Sequence, residues 1–223
     1  MSNPGLLEVI ALDARDAENA QKGGADRLEL VSDMAVDGLS PEPRVVREVL
    51  AATDLPVRVM LRDNGSFARG SLDSLRRKAA ELVEAGATEF VFGYLTGNGA
   101  VDTGTCAALA AEIPGPWTFH RAVDHARDVL AAHRELAALG CDTVLSAGHP
   151  DGVAAGLPVL RELAGRAGGP RLLVGGGLRA GQVPPLRAAG ADAFHIGSAA
   201  RPRGWAEPVD VESVREWADL VHQ

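Results

Sequence analysis

The sequence predicts a single closed (β/α)8 barrel, also called a TIM barrel, over residues 1–223. Three observations favour this fold class. Short apolar or β-branched segments alternate eight times with helical patterns, and the turns that enter these segments repeat in two forms. No change in composition divides the chain, whose length lies near the lower end of the range for such barrels. Because the alternation requires a parallel sheet, the internal repeat favours closure over an open, doubly wound sheet.

Eight strands and eight helices are expected to alternate. The strands are expected to begin near Leu6, Arg27, Val57, Glu89, Trp117, Thr143, Leu172 and Ala193. The helices are expected to begin near Asp13, Ser40, Ser71, Asp102, His125, Asp151, Arg179 and Asp210. At Asp13, Ser71 and Asp102 the side chain can accept hydrogen bonds from the free amides of a helix start. Ser40 precedes a proline, which suits the first helical position.

The turns before the strands carry the internal repeat. The second, fourth, sixth and eighth strands follow a glycine suited to a left-handed helix end, at Gly24, Gly86, Gly140 and Gly190. The other strands follow a proline, at Pro4, Pro56, Pro116 and Pro170. A unit of two strands and two helices is therefore expected to repeat around the barrel.

Charge and composition exclude several classes of partner. With 22 basic and 30 acidic residues the formal net charge is -8, and the basic residues are not gathered in one region. Neither nucleic acid nor a membrane is therefore expected as a partner. No apolar segment approaches the roughly 18 residues of a membrane span, and no signal peptide is recognisable, so a cytoplasmic location is expected. The sequence leaves the oligomeric state open, a homodimer included.

Charged residues on the expected strands point towards the barrel interior. Strand alternation places Glu8 and Glu29 on the inner face. Arg58 and Arg62 share that face on the third strand, and His120 does so on the fifth. A carboxylate inside a barrel costs several kcal/mol unless it is paired, so these groups form either a ligand site or a structural polar plug. The site is favoured because such interiors otherwise consist of Val, Ile and Leu.

The segment that ends the fifth strand, Thr118–Asp124, offers three chemical groups. His120 can carry protons near neutral pH, Arg121 can hold an anion, and Asp124 can orient either of them. The alternative is an ion pair between Arg121 and Asp124 that only ties the loop. The expected catalytic residues are Glu8, Glu29, His120 and Asp124.

Glycine-rich turns follow the seventh and eighth strands, at Val174–Arg179 and His195–Ala199. Backbone amides at such turns can approach an oxyanion, and these two loops form the usual phosphate site of this barrel. Tight turns without a ligand are the alternative. The expected ligand-binding residues are Arg62, Arg121, Ser146, Gly175, Gly177, His195, Gly197 and Ser198. The histidines lack the spacing of a metal site, so no metal ligand is assigned.

Seven segments in chain order form a recognisable set. They are Leu7–Val9, Gly24–Leu30, Gly38–Pro41, Val59–Arg62, Thr118–Asp124, Val144–Gly148 and His195–Ala199. This set resembles the CutC copper-homeostasis family. The resemblance implies a cytosolic (β/α)8 barrel associated with copper handling. It is also the only reason to expect copper as a cofactor, since some members of the family bind Cu(I) through cysteines near the first two strands.

The sequence departs from the family pattern where those cysteines are expected. Neither Val9–Leu12 nor Leu30–Asp33 contains a cysteine. This absence argues against direct binding of Cu(I), which prefers thiolate or thioether ligands. The remaining sulfur-bearing side chains are Met34 and Met60 near these strands, and Cys106 and Cys141, which are expected to be structural.

Three functions are compatible with these residues. The first is a role in copper homeostasis, with or without direct binding of Cu(I). The second is an enzyme that acts on a small anionic or phosphorylated metabolite, with His120 and either Glu29 or Glu8 as acid and base. The third is a barrel whose polar network only stabilises the fold. A small polar or anionic molecule is the expected partner.

Overall fold

Eight short parallel strands close into a barrel in the computed structural model, which describes residues 5–223. The strands are β1 (Leu6–Ala11), β2 (Arg27–Leu30), β3 (Val57–Met60), β4 (Glu89–Phe92), β5 (Trp117–Phe119), β6 (Thr143–Ser146), β7 (Arg171–Val174) and β8 (Ala193–Ile196). Each strand pairs with the next in the sequence, and β8 pairs with β1 to close the sheet. The predicted fold class is confirmed.

Helices connect the strands on the outside of the barrel. They are α1 (Ala14–Gly23), α2 (Pro43–Ala52), α3 (Leu72–Glu84), α4 (Thr103–Ala110), α5 (Val129–Ala137), α6 (Val153–Ala164), α7 (Val183–Ala188) and α8 (Val211–Val221). Short 3₁₀ helices follow four of the strands, at Met34–Val36, Arg121–His125, Ala180–Gln182 and Ser198–Ala200. Within residues 5–223 no helix has both the length and the hydrophobicity that crossing a bilayer requires.

Most expected strand and helix starts are confirmed. Seven strands begin at the expected residue, and β7 begins one residue earlier, at Arg171. Asp13, Ser71 and Asp102 cap α1, α3 and α4 through their side chains, as expected. Asp210 caps α8 in the same way.

Four helices begin later than the residue near which each was expected. Ser40 does not cap α2, which begins at Pro43, because its hydroxyl and amide bind the backbone of Arg62 instead. The helix expected near His125 begins at Val129, because the preceding residues form a 3₁₀ helix and Asp128 provides the cap. The two remaining helices, α6 and α7, also begin later than expected, two and four residues after Asp151 and Arg179 respectively.

The four glycines before the even-numbered strands adopt the predicted left-handed conformation. Their φ angles are 92° at Gly24, 103° at Gly86, 73° at Gly140 and 109° at Gly190. At Gly190 a Cβ would also lie 2.5 Å from the carbonyl oxygen of Ala164. A residue with a side chain there would therefore meet both backbone strain and a steric clash. The prolines Pro56, Pro116 and Pro170 precede the strands as expected, and Pro4 lies outside the described residues.

Strand alternation separates an apolar outer layer from a mixed interior. Leu7, Val9, Leu28 and Leu30 are fully buried between the strands and the helices. Inside the barrel, near the carboxyl-terminal ends of the first four strands, Ile10, Val31, Met60 and Val91 form a small apolar cluster. The inner positions of Glu8 and Glu29 are both buried, as the alternation predicts.

Arg58 closes the barrel interior near the amino-terminal ends of the strands. Its guanidinium makes two hydrogen bonds to the carboxylate of Asp142, at 3.0 and 2.6 Å. It also binds Glu89 at 3.1 Å and the hydroxyl of Thr118 at 2.5 Å. The barrel interior is therefore closed at this end by a paired polar plug, and the interior space for a ligand lies at the other end.

Candidate functional site

A cavity of about 350 Å³ opens at the carboxyl-terminal ends of the strands. Its inner wall consists of barrel residues, namely Ile10, Glu29, Met60, Arg62, His120, Leu145 and His195. Its rim consists of residues from the following loops, among them Met34, Asp37, Phe67, Arg121, His125, Gly176, Gly177, Gly197, Ser198 and Trp205. This volume falls in the range of small-molecule sites.

A chain of three ionisable side chains from neighbouring strands begins beneath the cavity floor and ends in it. Glu8 Oε1 lies 2.8 Å from His195 Nδ1, and His195 Nε2 lies 3.8 Å from Glu29 Oε2. The second oxygen of Glu8 accepts a hydrogen bond from Arg27 at 2.5 Å. β1 pairs with both β2 and β8, and this arrangement brings residues from distant parts of the sequence together.

The surroundings shift the pKa values of the two carboxylates in opposite directions. Burial would raise the pKa of Glu8, but the positive charges of Arg27 and His195 outweigh it and lower the pKa to about 2. Burial raises the pKa of Glu29 to about 7, helped by the charge of Glu8 and opposed by His195. Two acids that face one histidine therefore take different roles: Glu8 stays ionised, and Glu29 titrates near neutral pH.

His195 lies between these two carboxylates, which raise its pKa. Burial would lower its pKa, but the hydrogen bond to Glu8 and the charge of Glu29 raise it above its ordinary value. The Cβ of any residue replacing Gly175 would lie 2.8 Å from the Cβ of His195. Gly175 thus leaves the space that His195 needs for packing, a structural role that requires no ligand.

His120 is a neutral hydrogen-bond donor aimed from β5 into the cavity. Its Nδ1 accepts a hydrogen bond from the amide of Ala122 at 3.2 Å, so the proton of the neutral ring resides on Nε2. Burial lowers the pKa of His120 to about 3, and the positive charge of Arg62 acts in the same direction. Because the ring is neutral at neutral pH, it can donate a hydrogen bond from Nε2. Glu29, whose pKa is about 7, is the group that can exchange a proton in this range.

Three residues that line this cavity each carry a buried polar atom without a partner in the described part of the chain. These atoms are Oε1 of Glu29, Nε2 of His120 and Nε of Arg62. An unsatisfied buried donor or acceptor costs about 1–3 kcal/mol, so such atoms are rare in folded proteins. Their presence in one cavity indicates a position for a ligand that accepts from His120 and exchanges a proton with Glu29.

Arg62 lines the cavity, but most of its donors are used to hold loops. Its guanidinium donates to the carbonyl oxygens of Val36 at 2.9 Å, Gly38 at 3.0 Å and Gly65 at 2.8 Å. No carboxylate lies within salt-bridge distance among residues 5–223, so its charge is not neutralised by direct pairing. Arg62 therefore ties the loops after β2 and β3 together and contributes positive potential, rather than the open anion clamp expected.

Asp124 and Ser146 lie behind the cavity wall, which corrects their expected placement. Asp124 accepts hydrogen bonds from the Ser146 hydroxyl at 2.6 Å and from the amides of Ala147 and Gly148 at 3.0 and 3.1 Å. It also accepts from Arg121 Nε at 2.9 Å. The carboxylate is saturated and buried, and so positions Arg121 without reaching a ligand. Glu8 likewise lies beneath His195 and does not line the cavity.

Arg121 reaches the rim of the cavity on this support. Its guanidinium lies against Gly176, where a Cβ would be only 2.6 Å from Arg121 Nε. Its NH2 group donates to the carbonyl of Pro150 at 3.1 Å, and the side chain is about one-third exposed. The predicted pair with Asp124 therefore exists, yet the guanidinium still faces the cavity.

The glycine turns after β7 and β8 contribute backbone to the rim. Gly177 has a φ of 74°, and a Cβ there would meet no atom within 4 Å. Gly197 and Ser198 also line the cavity. Within the described ranges the amides of Gly177 and Ser198 donate no hydrogen bond to the chain. The amides of Gly177 and Ser198 are thus free donors beside the cavity.

Aromatic side chains form a part of the rim that sequence reasoning missed. The Phe67 ring lies 4.6 Å from the His125 ring and 5.8 Å from the His120 ring, measured between centroids. Arg62 Cζ lies 5.2 Å from the same centroid. Trp205 joins the rim from the loop after β8. Both Phe67 and Trp205 stand in irregular loops, where no periodic pattern predicts direction.

The two cysteine side chains lie outside this cavity, whereas two methionine side chains line it. Cys106 and Cys141 are buried free thiols outside the cavity lining, and burial raises the pKa of each to about 12. Met34 and Met60 do line the cavity. Across residues 5–223 no cluster of three or more His, Cys, Asp or Glu side chains is arranged to hold a metal ion.

Comparisons with known proteins agree on one family. The CutC family model matches residues 6–200. The human copper homeostasis protein cutC homolog is 36% identical over 201 residues, which cover 87% of this chain and 73% of the human protein. A CutC family protein of Bacteroides fragilis strain YCH46 is 36% identical over 177 residues, covering 77% of this chain and 70% of that protein.

Solved structures show the same relationship at the level of the fold. The crystal structure of CutC from Streptococcus agalactiae has a TM-score of 0.79 and 26% identity, and covers 87% of this chain and 98% of that one. Phosphoenolpyruvate phosphomutase from Streptomyces platensis subsp. rosaceus has a TM-score of 0.61, covers 88% of this chain and 77% of that one, and shares only the fold at 17% identity. This chain belongs to the CutC family.

Proposed function

We propose that this barrel is an enzyme that transfers a proton on a small anionic organic molecule bound in the cavity. The observation that carries the proposal is the pair of unpartnered buried atoms, Glu29 Oε1 and His120 Nε2. A titratable carboxylate and a fixed N–H donor that line the same cavity can abstract a proton from a bound molecule and stabilise the oxyanion that results. Glu29 is the base, and His120 is the hydrogen-bond donor.

The charge of the cavity favours an anionic molecule. The chain as a whole carries a formal charge of -8. The cavity lining nevertheless contains Arg62, Arg121 and His195, whose pKa is raised, against the acidic groups Glu29 and Asp37. Positively charged side chains around a cavity attract anions locally, while the remaining negative surface repels them. Arg121 and the free amides at Gly177 are placed to hold the anionic group.

The remaining expected residues support these roles from outside the cavity. Glu8 bonds to His195 and raises its pKa, and Asp124 with Ser146 fixes Arg121 at the rim. His195 in turn sets the ionisation of Glu29. The proposal thus retains the predicted site residues while dividing them into groups that touch a ligand and groups that position them.

The relatives are named for copper homeostasis, and we propose that any such role of this chain is indirect. Thiolates are the ligands that Cu(I) prefers, but both thiols here are buried, protonated and outside the cavity. An effect on copper would then follow from the reaction rather than from coordination by cysteine. Free buried thiols also fit the cytoplasmic location expected from the sequence.

The proposal is tested by a screen for binding followed by a screen for proton exchange. Small carboxylates and phosphate esters are added to the protein, and the melting temperature is recorded. A ligand at 100 times its dissociation constant contributes about 2.7 kcal/mol of stability, which such a scan detects. Each ligand found is then incubated with the enzyme in D₂O, and deuterium incorporation is followed by NMR.

A matched pair of carboxylate variants makes the exchange experiment specific. Glu29→Gln is expected to abolish exchange, and Glu89→Gln, which alters a carboxylate at the closed end of the barrel, is expected to retain it. His120→Asn is expected to slow exchange by about a hundredfold, the lower range for loss of an oxyanion donor. If no small anion stabilises the protein, or if Glu29→Gln exchanges as fast as the wild type, the proposal fails.

A further inference from the structure

A second cavity, of about 200 Å³, opens near the amino-terminal ends of the strands, away from the candidate active site. It lies between α5, α6 and the segments that enter β7 and β8. The side chains that matter for its chemistry are those of His133, Arg166, Arg171 and Asp192. None of these residues takes part in the function proposed above, so this cavity calls for its own explanation.

His133 presents an unsatisfied polar atom in this cavity. The residue lies on α5 and is 4% exposed. Its Nε2 is buried and has no hydrogen-bond partner among the described residues. Burial is the main cause that lowers the pKa of His133, and the positive charge of Arg166 adds to it. A group that accepts or shares a proton with this ring would remove the cost of leaving it unsatisfied.

Two guanidinium groups, those of Arg166 and Arg171, line the second cavity together with His133. Arg166 binds Glu162 at 2.7 Å, and Arg171 binds Asp192 at 2.9 Å. All four side chains are between about one-quarter and one-half exposed, and ion pairs of that exposure contribute little stability. Within residues 5–223 Arg166 Nε and Arg171 NH1 make no recorded hydrogen bond, so both arginines retain donors.

We propose that this second cavity binds a small oxyanion of the phosphate class, held by Arg166, Arg171 and His133. The lining has two guanidiniums against one carboxylate, that of Asp192, and Glu162 lies outside the lining. Guanidiniums bind phosphate through directed hydrogen bonds that reinforce the charge attraction. Inorganic phosphate and the phosphoryl group of a metabolite share this chemistry, and the experiment separates them.

Binding has a local signature at His133. A bound oxyanion counteracts the repulsion from Arg166 and stabilises the imidazolium, so the pKa of His133 rises on binding. The charged groups nearby, Arg166 and Arg171 with their partners Glu162 and Asp192, are present in both states and leave the bound anion as the difference. The ring signals of ¹³C-labelled histidine report this change, and the His133 signal is assigned with His133→Gln.

The experiment titrates the full-length protein with inorganic phosphate and, separately, with phenyl phosphate. Saturable movement of the His133 signal and a higher pKa are the expected results, and the probe that saturates at lower concentration identifies the favoured source. Arg166→Gln is expected to weaken binding about tenfold. Two control variants are expected to leave the binding of the probe unchanged. Arg134→Gln removes an exposed arginine from α5, the helix of His133, and Arg121→Gln changes the first cavity.

Two results would overturn the assignment. One is a His133 signal in the wild-type protein that does not saturate with either probe, a measurement that needs no variant to fold. The other is equal weakening by Arg166→Gln and Arg134→Gln, since this would mean a general charge effect. Neither result bears on Glu29 and His120, because the exchange test uses a cavity at the other end of the barrel.

Discussion

Glu29 should make this protein less stable as the pH rises through neutrality. Its pKa is raised from an ordinary value of 4.5 in the unfolded chain to about 7 in the folded barrel, mainly by burial. The folded state therefore holds a proton over a range in which the unfolded state has lost it. By linkage, stability is highest below pH 4.5 for this group and falls as the pH rises towards 7.

The size of this effect follows from the same two values. A gap between 4.5 and about 7 corresponds to about 3 kcal/mol at the usual 1.36 kcal/mol for each tenfold change in proton affinity. Most of the loss falls between pH 5 and pH 8. Glu29 is only 3% exposed, so solvent does little to screen it. A loss of this size is a large share of the 5–15 kcal/mol that folded domains typically possess.

His120 acts in the opposite direction over part of this range. Its pKa falls from an ordinary 6.5 to about 3, so its contribution is present above pH 6.5 and is lost as the pH falls towards 3. Between pH 4.5 and pH 6.5 the two groups oppose each other in the wild-type protein. Comparison with Glu29→Gln, which cannot ionise, removes the contribution of His120 and leaves that of Glu29 together with its effect on the pKa of His195.

The assay is urea unfolding of the wild type and Glu29→Gln at intervals from pH 5 to pH 8. The variant is expected to gain about 2–3 kcal/mol relative to the wild type across this range. Glu89→Gln serves as a control, because Glu89 bonds to Arg58 at the closed end of the barrel, away from the cavity. A difference between Glu29→Gln and the wild type that stays constant with pH would refute the reasoning.

Three further outcomes are expected. Titration with Cu(I) against a competing chelator should give the same uptake for the wild type and the double variant Cys106→Ser, Cys141→Ser, and a marked loss in the double variant would restore the thiol sites. Arg121→Gln should raise the dissociation constant of an anionic ligand found in the thermal screen by about tenfold, measured by calorimetry, whereas an unchanged constant would remove Arg121 from the site. Asp16→Asn should lower the free energy of unfolding by about 3–5 kcal/mol in urea, because it leaves Arg201 buried without its 2.6 Å partner; a loss below about 1 kcal/mol would contradict this.

The fold could be predicted because its signals are local and repeated. Glycines such as Gly24 and Gly190 end helices in the left-handed conformation. Strand alternation places Glu8 and Glu29 inside the barrel, independently of the loop conformations. These features depend on neighbours within a few residues. The start of α2 was misplaced because Ser40 binds the backbone of Arg62, a residue that only the folded barrel brings near.

The site could be predicted only as a set of residues, since its roles depend on distant partners. Arg62 and Arg121 look alike in the sequence, yet one donates to the carbonyls of a neighbouring loop and the other faces the cavity. Asp124 appears available until the amides of Ala147 and Gly148 occupy its oxygens. Loop residues such as Phe67 carry no periodicity that would reveal their direction.

The two ends of the barrel interior treat buried polar groups differently, and this difference makes the carboxyl-terminal end a place for chemistry. At the closed end Arg58 is paired with Asp142 and Glu89, so each charge there is compensated. At the open end Glu29 and His120 each keep a buried atom without a partner among the described residues. Each such atom costs about 1–3 kcal/mol, and a ligand that satisfies both recovers that free energy on binding. A polar plug would have no reason to leave this cost in place, whereas a binding site needs these groups free before its ligand arrives.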